Sequence, residues 1–102
     1  MTNPKDHFVT DIIPLYNEEG SLVELYARLT DVLTGFVRGH ELIFADDGST
    51  EGYLGTLREL MERDRRVKII SFKRIFGKSA ALYEAFRASR GDIVITIDAD
   101  LQ

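Results

Sequence analysis

The chain has no cysteine among its 102 residues, so disulfides, thiolate metal ligands and a cysteine nucleophile are all excluded. Tryptophan is absent too, and proline occurs only at positions 4 and 14. No apolar run approaches the ~20 residues that a membrane-spanning helix needs. Basic residues are the minority, 13 Lys and Arg against 17 Asp and Glu, for a net charge of −4. That balance lacks the basic excess of a nucleic-acid surface. Repeats and low-complexity tracts are missing. Residues 1–7 form a polar tail without the apolar core of a signal peptide, so a cytoplasmic location is the expectation. The length allows at most one domain, burying somewhat over half (~65%) of its unfolded surface.

What is present is an alternation of short apolar runs and helical periodicities. Residues 8–13 read as a strand ended by Pro14, interrupted by Thr10 and Asp11. Ser21 and Glu24 have capping-box spacing, and Leu22, Leu25, Tyr26, Leu29, Val32 and Leu33 recur as one helical face until Gly35 and Gly39 break it. A second strand spans 41–45. Leu54, Leu57, Leu60 and Met61 line a second helix, supported by Glu59 and Arg63 four apart. Strand three covers 67–72. A third helix carries Ala81, Leu82, Ala85, Phe86 and Ala88 to about residue 89, and the fourth strand is 93–97. Tyr and Phe on these helices are expected in the core. Helical crossovers between strands favour a parallel sheet with right-handed connections. The predicted architecture is α/β, a Rossmann-like β1-α1-β2-α2-β3-α3-β4 unit of strand order 3-2-1-4. Ligands of such sheets bind beyond the carboxyl ends of the strands, where residues 14–18, 46–50, 73–78 and 98–102 all fall.

Each of these segments has a chemical reading and a plainer one. Asp98 and Asp100 alternate onto one face of an extended segment, and two oxygen ligands at a strand end suit Mg²⁺ or Mn²⁺. Asp is also simply common in turns. In 14–18, Tyr16 can stack on a nucleobase and a nearby carboxylate can accept from a base or sugar. The plainer reading is an acidic helix start. Asp46 or Asp47 can hold a base N–H or ribose hydroxyls, and Asp, Ser or Thr in 46–50 can equally cap a helix. Basic groups in 73–78, Lys78 among them, can meet phosphates, with Gly77 allowing close backbone approach. They can also be a solvated loop. His7 and His40 have no motif partner and read as structural.

Together these residues resemble glycosyltransferase family 2, with its GT-A fold, and in particular the dolichyl-phosphate mannosyltransferase-like polyprenyl-phosphate sugar transferases. The likeness rests on Pro14-Leu15-Tyr16-Asn17-Glu18, Asp46-Asp47-Gly48-Ser49-Thr50 and Asp98-Ala99-Asp100-Leu101-Gln102, and it covers residues 8–102. It implies that Pro14, Tyr16, Glu18, Ala45 and Asp47 contact the base and ribose of a nucleotide sugar. Asp98, Asp100 and Gln102 would bind a metal bridging the diphosphate, with Ala99 beside the donor. The family's Arg-Asn-Phe-Gly-Lys is here Arg74-Ile75-Phe76-Gly77-Lys78, so the polar contact of that Asn is lost or replaced. Asp11 inside the first strand is also atypical.

The implied reaction moves a sugar from a UDP- or GDP-linked donor to a polyprenyl phosphate. Direct attack by the acceptor needs no nucleophilic residue, and the likeness implies inversion. The cation held by Asp98 and Asp100 would stabilise the departing diphosphate. On this likeness, residues 8–102 are expected to correspond to the nucleotide-binding half, cut after the Asp-x-Asp motif. The expectation is a chain inactive alone, and on the cytoplasmic face of the membrane in full-length relatives. An uncovered fourth strand would favour self-association. Three rivals exist. A nucleotidyltransferase would want a Gly-rich loop after strand one. A phosphoacceptor receiver domain would carry its acidic pair after the first strand, not the second. A non-catalytic nucleotide-binding remnant fits the same residues.

Overall fold

The computed structural model describes residues 3–15, 22–47, 51–72 and 78–97. A short 3-10 turn at Pro4–Asp6 precedes β1 (Phe8–Leu15), α1 (Leu22–Phe36), β2 (Gly39–Asp47), α2 (Glu51–Arg63), β3 (Val67–Phe72), α3 (Lys78–Ala88) and β4 (Ile93–Thr96). The strands form one parallel sheet of order β3-β2-β1-β4, as the alternation predicts. Two apolar clusters divide its faces. Val9, Ile13, Leu15, Leu42, Phe44 and Val67 pack against α1 and α2 through Leu22, Leu25, Leu33, Leu57 and Leu60. Ile12, Ile43 and Ala45 pack on the other face against Ala85 and Leu82 of α3. β1 and β2 thus carry apolar groups on both faces, as buried parallel strands must.

Several boundaries differ from expectation for identifiable reasons. Pro14 does not end β1; it lies within the strand, paired with Ala45. The β1–β4 register stops at Ile12↔Thr96, and the Ile12 carbonyl accepts from Ile97 N–H at 2.9 Å. Alternation turns the Pro14 nitrogen toward the same side, past the last β1–β4 pair, where no ladder donor is required. Gly35 does not break α1, which continues to Phe36 and closes with Val37 N–H on Leu33 C=O at 3.1 Å. Gly39 opens β2, where a β-carbon would stand 3.1 Å from the Phe8 ring.

Not every apolar helix residue is core. Val32, Met61, Tyr83 and Phe86 are exposed, against the expectation that they line buried faces, and Phe36 at the end of α1 is exposed too. α3 has its face of the sheet to itself among the described helices and reaches it through Leu82 and Ala85, which leaves Tyr83 and Phe86 outside. Phe36 at the end of α1 stands beside β4, whose Ile93 and Ile95 are also exposed. Together with His7, Val9, Leu33 and Val37, three of these (Phe36, Ile93 and Ile95) bound an apolar trough of about 340 Å³. Among the described residues no helix is long and apolar enough to cross a membrane.

Candidate functional site

Because all four strands are parallel, their carboxyl ends share one rim, where α1, α2 and α3 begin. Pro14 is half-buried near the end of β1. Ala45 is fully buried beside it on the α3 face. Asp46 is flanked by Leu15 of β1 and Ser71 of β3, and it too is fully buried. The Ser71 hydroxyl donates to Asp46 Oδ2 at 3.3 Å. Asp47 closes β2 in register with Phe72, and Lys78 opens α3. The structure therefore brings Pro14, Ala45, Asp46 and Asp47 together on two adjacent strand ends. Tyr16, Glu18, Asp98, Ala99, Asp100 and Gln102 lie outside the described residues. So do Gly48, Ser49, Thr50 and residues 73–77. Among the described residues no group of three His, Cys, Asp or Glu could hold a metal.

Ser71 is the rim residue that sequence reading does not find. Its signal is its place in the third strand, and only the β2–β3 register sets it opposite Asp46.

The opposite end of the sheet carries a buried polar network. Glu41 Oε2 accepts from the Thr10 hydroxyl at 2.6 Å and the Arg90 amide at 2.7 Å, while Oε1 lies 2.6 Å from Lys68 Nζ. Burial pushes the Glu41 carboxyl up, but Lys68, Thr10 and Arg90 together bring it below its ordinary value. Thr10 Oγ1 in turn accepts from Gly91 N–H at 2.8 Å. His7 Nδ1 stands 3.0 Å from Asp92 Oδ2, and the buried His40 has its pKa lowered by desolvation. Both histidines sit away from the rim, in structural surroundings. Nearby, Tyr26 of α1 donates to Asp64 Oδ2 at 2.6 Å, and Arg66 holds that carboxyl well below the usual range.

Asp11 is different. It is fully buried on the α1 face, neither carboxylate oxygen has a hydrogen-bond partner among the described residues, and burial raises its pKa to about 6.

A parallel sheet of this order, helices on both faces and polar segments at one rim, defines a Rossmann-like α/β protein. The model of the family described as glycosyl transferase family 2 matches residues 11–102, and the chain belongs to that family. It is 43% identical over 91 residues to an uncharacterized glycosyltransferase of Synechocystis sp., covering 89% of this chain and 29% of that one. It is 42% identical over 95 residues to the undecaprenyl-phosphate 4-deoxy-4-formamido-L-arabinose transferase of Pseudomonas paraeruginosa, covering 92% and 28%. Among solved structures, the mannosyltransferase of Pyrobaculum calidifontis in complex with GDP-Man and Mn²⁺ superposes with a TM-score of 0.76 at 26% identity, over 97% of this chain and 28% of that one. S. aureus TarS shares the fold, with a TM-score of 0.70 at 22% identity over 90% and 16%. The chain thus spans less than a third of the length of the curated relatives it matches.

Proposed function

We propose that these residues form the nucleotide-sugar-binding half of a transferase that moves a sugar from a UDP- or GDP-linked donor to a polyprenyl phosphate. The observation that carries this reading is that β1, β2 and β4 are adjacent and parallel. In sequence, 14–18 and 46–50 begin on the last residues of β1 and β2, and 98–102 follows β4. The undecaprenyl-phosphate relative supports the acceptor class, and the GDP-Man and Mn²⁺ of the Pyrobaculum structure support the donor class and a divalent cation.

In this reading Tyr16 stacks on the base, while Pro14, Glu18, Ala45 and Asp47 shape the base and ribose subsite. Asp46 belongs to the same rim, Ala99 lies beside the donor, and Lys78 at the start of α3 offers its charge to the phosphates. Asp98, Asp100 and Gln102 form an all-oxygen donor set that fits Mg²⁺ or Mn²⁺. Bound there, the cation would supply charge stabilisation for the departing diphosphate. The polyprenyl phosphate attacks the sugar directly, so the chain's own task is orientation of the donor. None of these residues is assigned to the acceptor. The expectation for the 102-residue chain is donor binding without transfer, together with self-association through β4.

Titration with UDP, GDP and their sugars, with and without Mn²⁺, tests the reading. Metal-enhanced binding of at least one nucleotide diphosphate is expected, reduced by Asp98→Asn and by Asp100→Asn. Unchanged Mn²⁺-dependent affinity in both variants overturns the metal assignment, and binding to no nucleotide overturns the whole.

A further inference from the structure

Asp46 stands next to a residue assigned to the nucleotide, yet its own surroundings point to a different task. It is fully buried, one residue short of the end of β2. Its register partners are Leu15 and Ser71, so these side chains share a face of the sheet. Leu15 belongs to the cluster that α1 and α2 cover. The Asp46 side chain therefore lies on the α1 and α2 face of the sheet, and it is fully buried there. Burying a carboxyl without hydrogen-bond donors is costly. The Ser71 hydroxyl is one donor, at 3.3 Å, reaching across the penultimate pair of the β2–β3 ladder. The last pair is Asp47↔Phe72.

From this geometry we infer that Asp46 is a positioning residue. Held by Ser71, it fixes the final pair of the ladder and with it the place from which Asp47 meets the nucleotide. Asp46 itself makes no contact with the ligand. The inference rests on the proposed nucleotide site, and its structural half can be read independently. Free Asp47 backbone would let the ligand-bearing end of β2 fray, since terminal pairs open most easily. Anchoring one pair further in restrains it.

The test compares Ser71→Ala, Ser71→Thr and Asp46→Asn with Glu41→Gln, which disturbs the same strand at its other end. Affinity for GDP and UDP in Mn²⁺, melting temperature, and amide exchange at Asp47 and Phe72 are measured on the full chain. Loss of this hydrogen bond to a buried carboxyl predicts roughly 10-fold weaker nucleotide binding in Ser71→Ala. Restoration by Ser71→Thr and faster exchange at Asp47 are expected with it. Glu41→Gln is expected to lower the melting temperature while leaving affinity and Asp47 exchange as in the parent. Folded Ser71→Ala and Asp46→Asn proteins with parental affinity and parental Asp47 exchange overturn the inference. If the parent chain binds no nucleotide, the proposed function falls. Exchange at Asp47 then decides the positioning role alone, with equal protection in parent and Ser71→Ala overturning it.

Discussion

Asp11 of β1 and Ile95 of β4 are direct register partners, but the acid is fully buried while the isoleucine is 38% exposed. The carboxyl lies on the face occupied by Val9, Ile13 and Leu42, and burial alone raises its pKa from 3.8 to about 6. The folded state therefore holds a proton that the unfolded chain releases near 3.8. Stability should fall as pH rises from about 4 to about 6 and then level off. Over that interval the loss is about 3 kcal/mol. Asp11→Val should remove this slope and raise stability at neutral pH by about 1–3 kcal/mol. Urea unfolding at a series of pH values checks it, and an unaltered slope in the variant would refute the assignment.

Glu41 gives the opposite sign. Its pKa is lowered on balance, so its contribution is present above the ordinary carboxylate range and fades as pH falls through the depressed value. Glu41→Gln breaks a bonded group shared by β1, β3 and the turn before β4 and should cost about 2 kcal/mol. Denaturation of the variant at pH 7 measures this directly.

Tyr16→Ala should weaken nucleoside binding even without metal. Base stacking is worth about 1–3 kcal/mol in nucleic-acid sites, a scale borrowed here for a single base. Equal affinities of parent and variant for the bare nucleoside would take Tyr16 out of the site.

Exposed Phe36, Ile93 and Ile95 around one trough should make the 102-residue chain self-associate, because apolar strands at a sheet edge recruit partners. Light scattering at rising concentration should show growing mass, reduced in Ile93→Lys. A monomer throughout would contradict it.

Fold order was readable because β1 and β2 are apolar on both faces while Leu22, Leu25 and Leu33 repeat at helical spacing. Parallel pairing then left few topologies. Pro14 misled because its missing N–H matters only where a ladder continues, which depends on how far β4 extends. Phe86 and Tyr83 misled because helical spacing marks an apolar stripe without saying whether another layer lies over it. At the rim, Asp46 and Asp47 were legible from their strand-end position. Ser71, 25 residues on from Asp46, becomes its partner only through register. The Glu41 network was hidden likewise, since Thr10 and Arg90 lie 31 and 49 residues away.

The turn before β4 has a consequence for everything beyond it. A β-carbon on Gly91 would lie 2.6 Å from the Thr10 amide nitrogen and 2.7 Å from Ile93 O, so only glycine fits there. Gly91→Ala should cost about 1–3 kcal/mol and loosen the Arg90, Gly91 and Asp92 amide bonds to Glu41, Thr10 and Phe8. Melting temperature reports the first effect and amide exchange the second. Those three bonds act as the zero mark of a ruler laid along β4. Sliding the strand by a single residue would exchange the faces of Ile93 and Ile95 with that of Val94. The odd-or-even count that begins at a glycine thus determines which side of the sheet each residue of β4 faces.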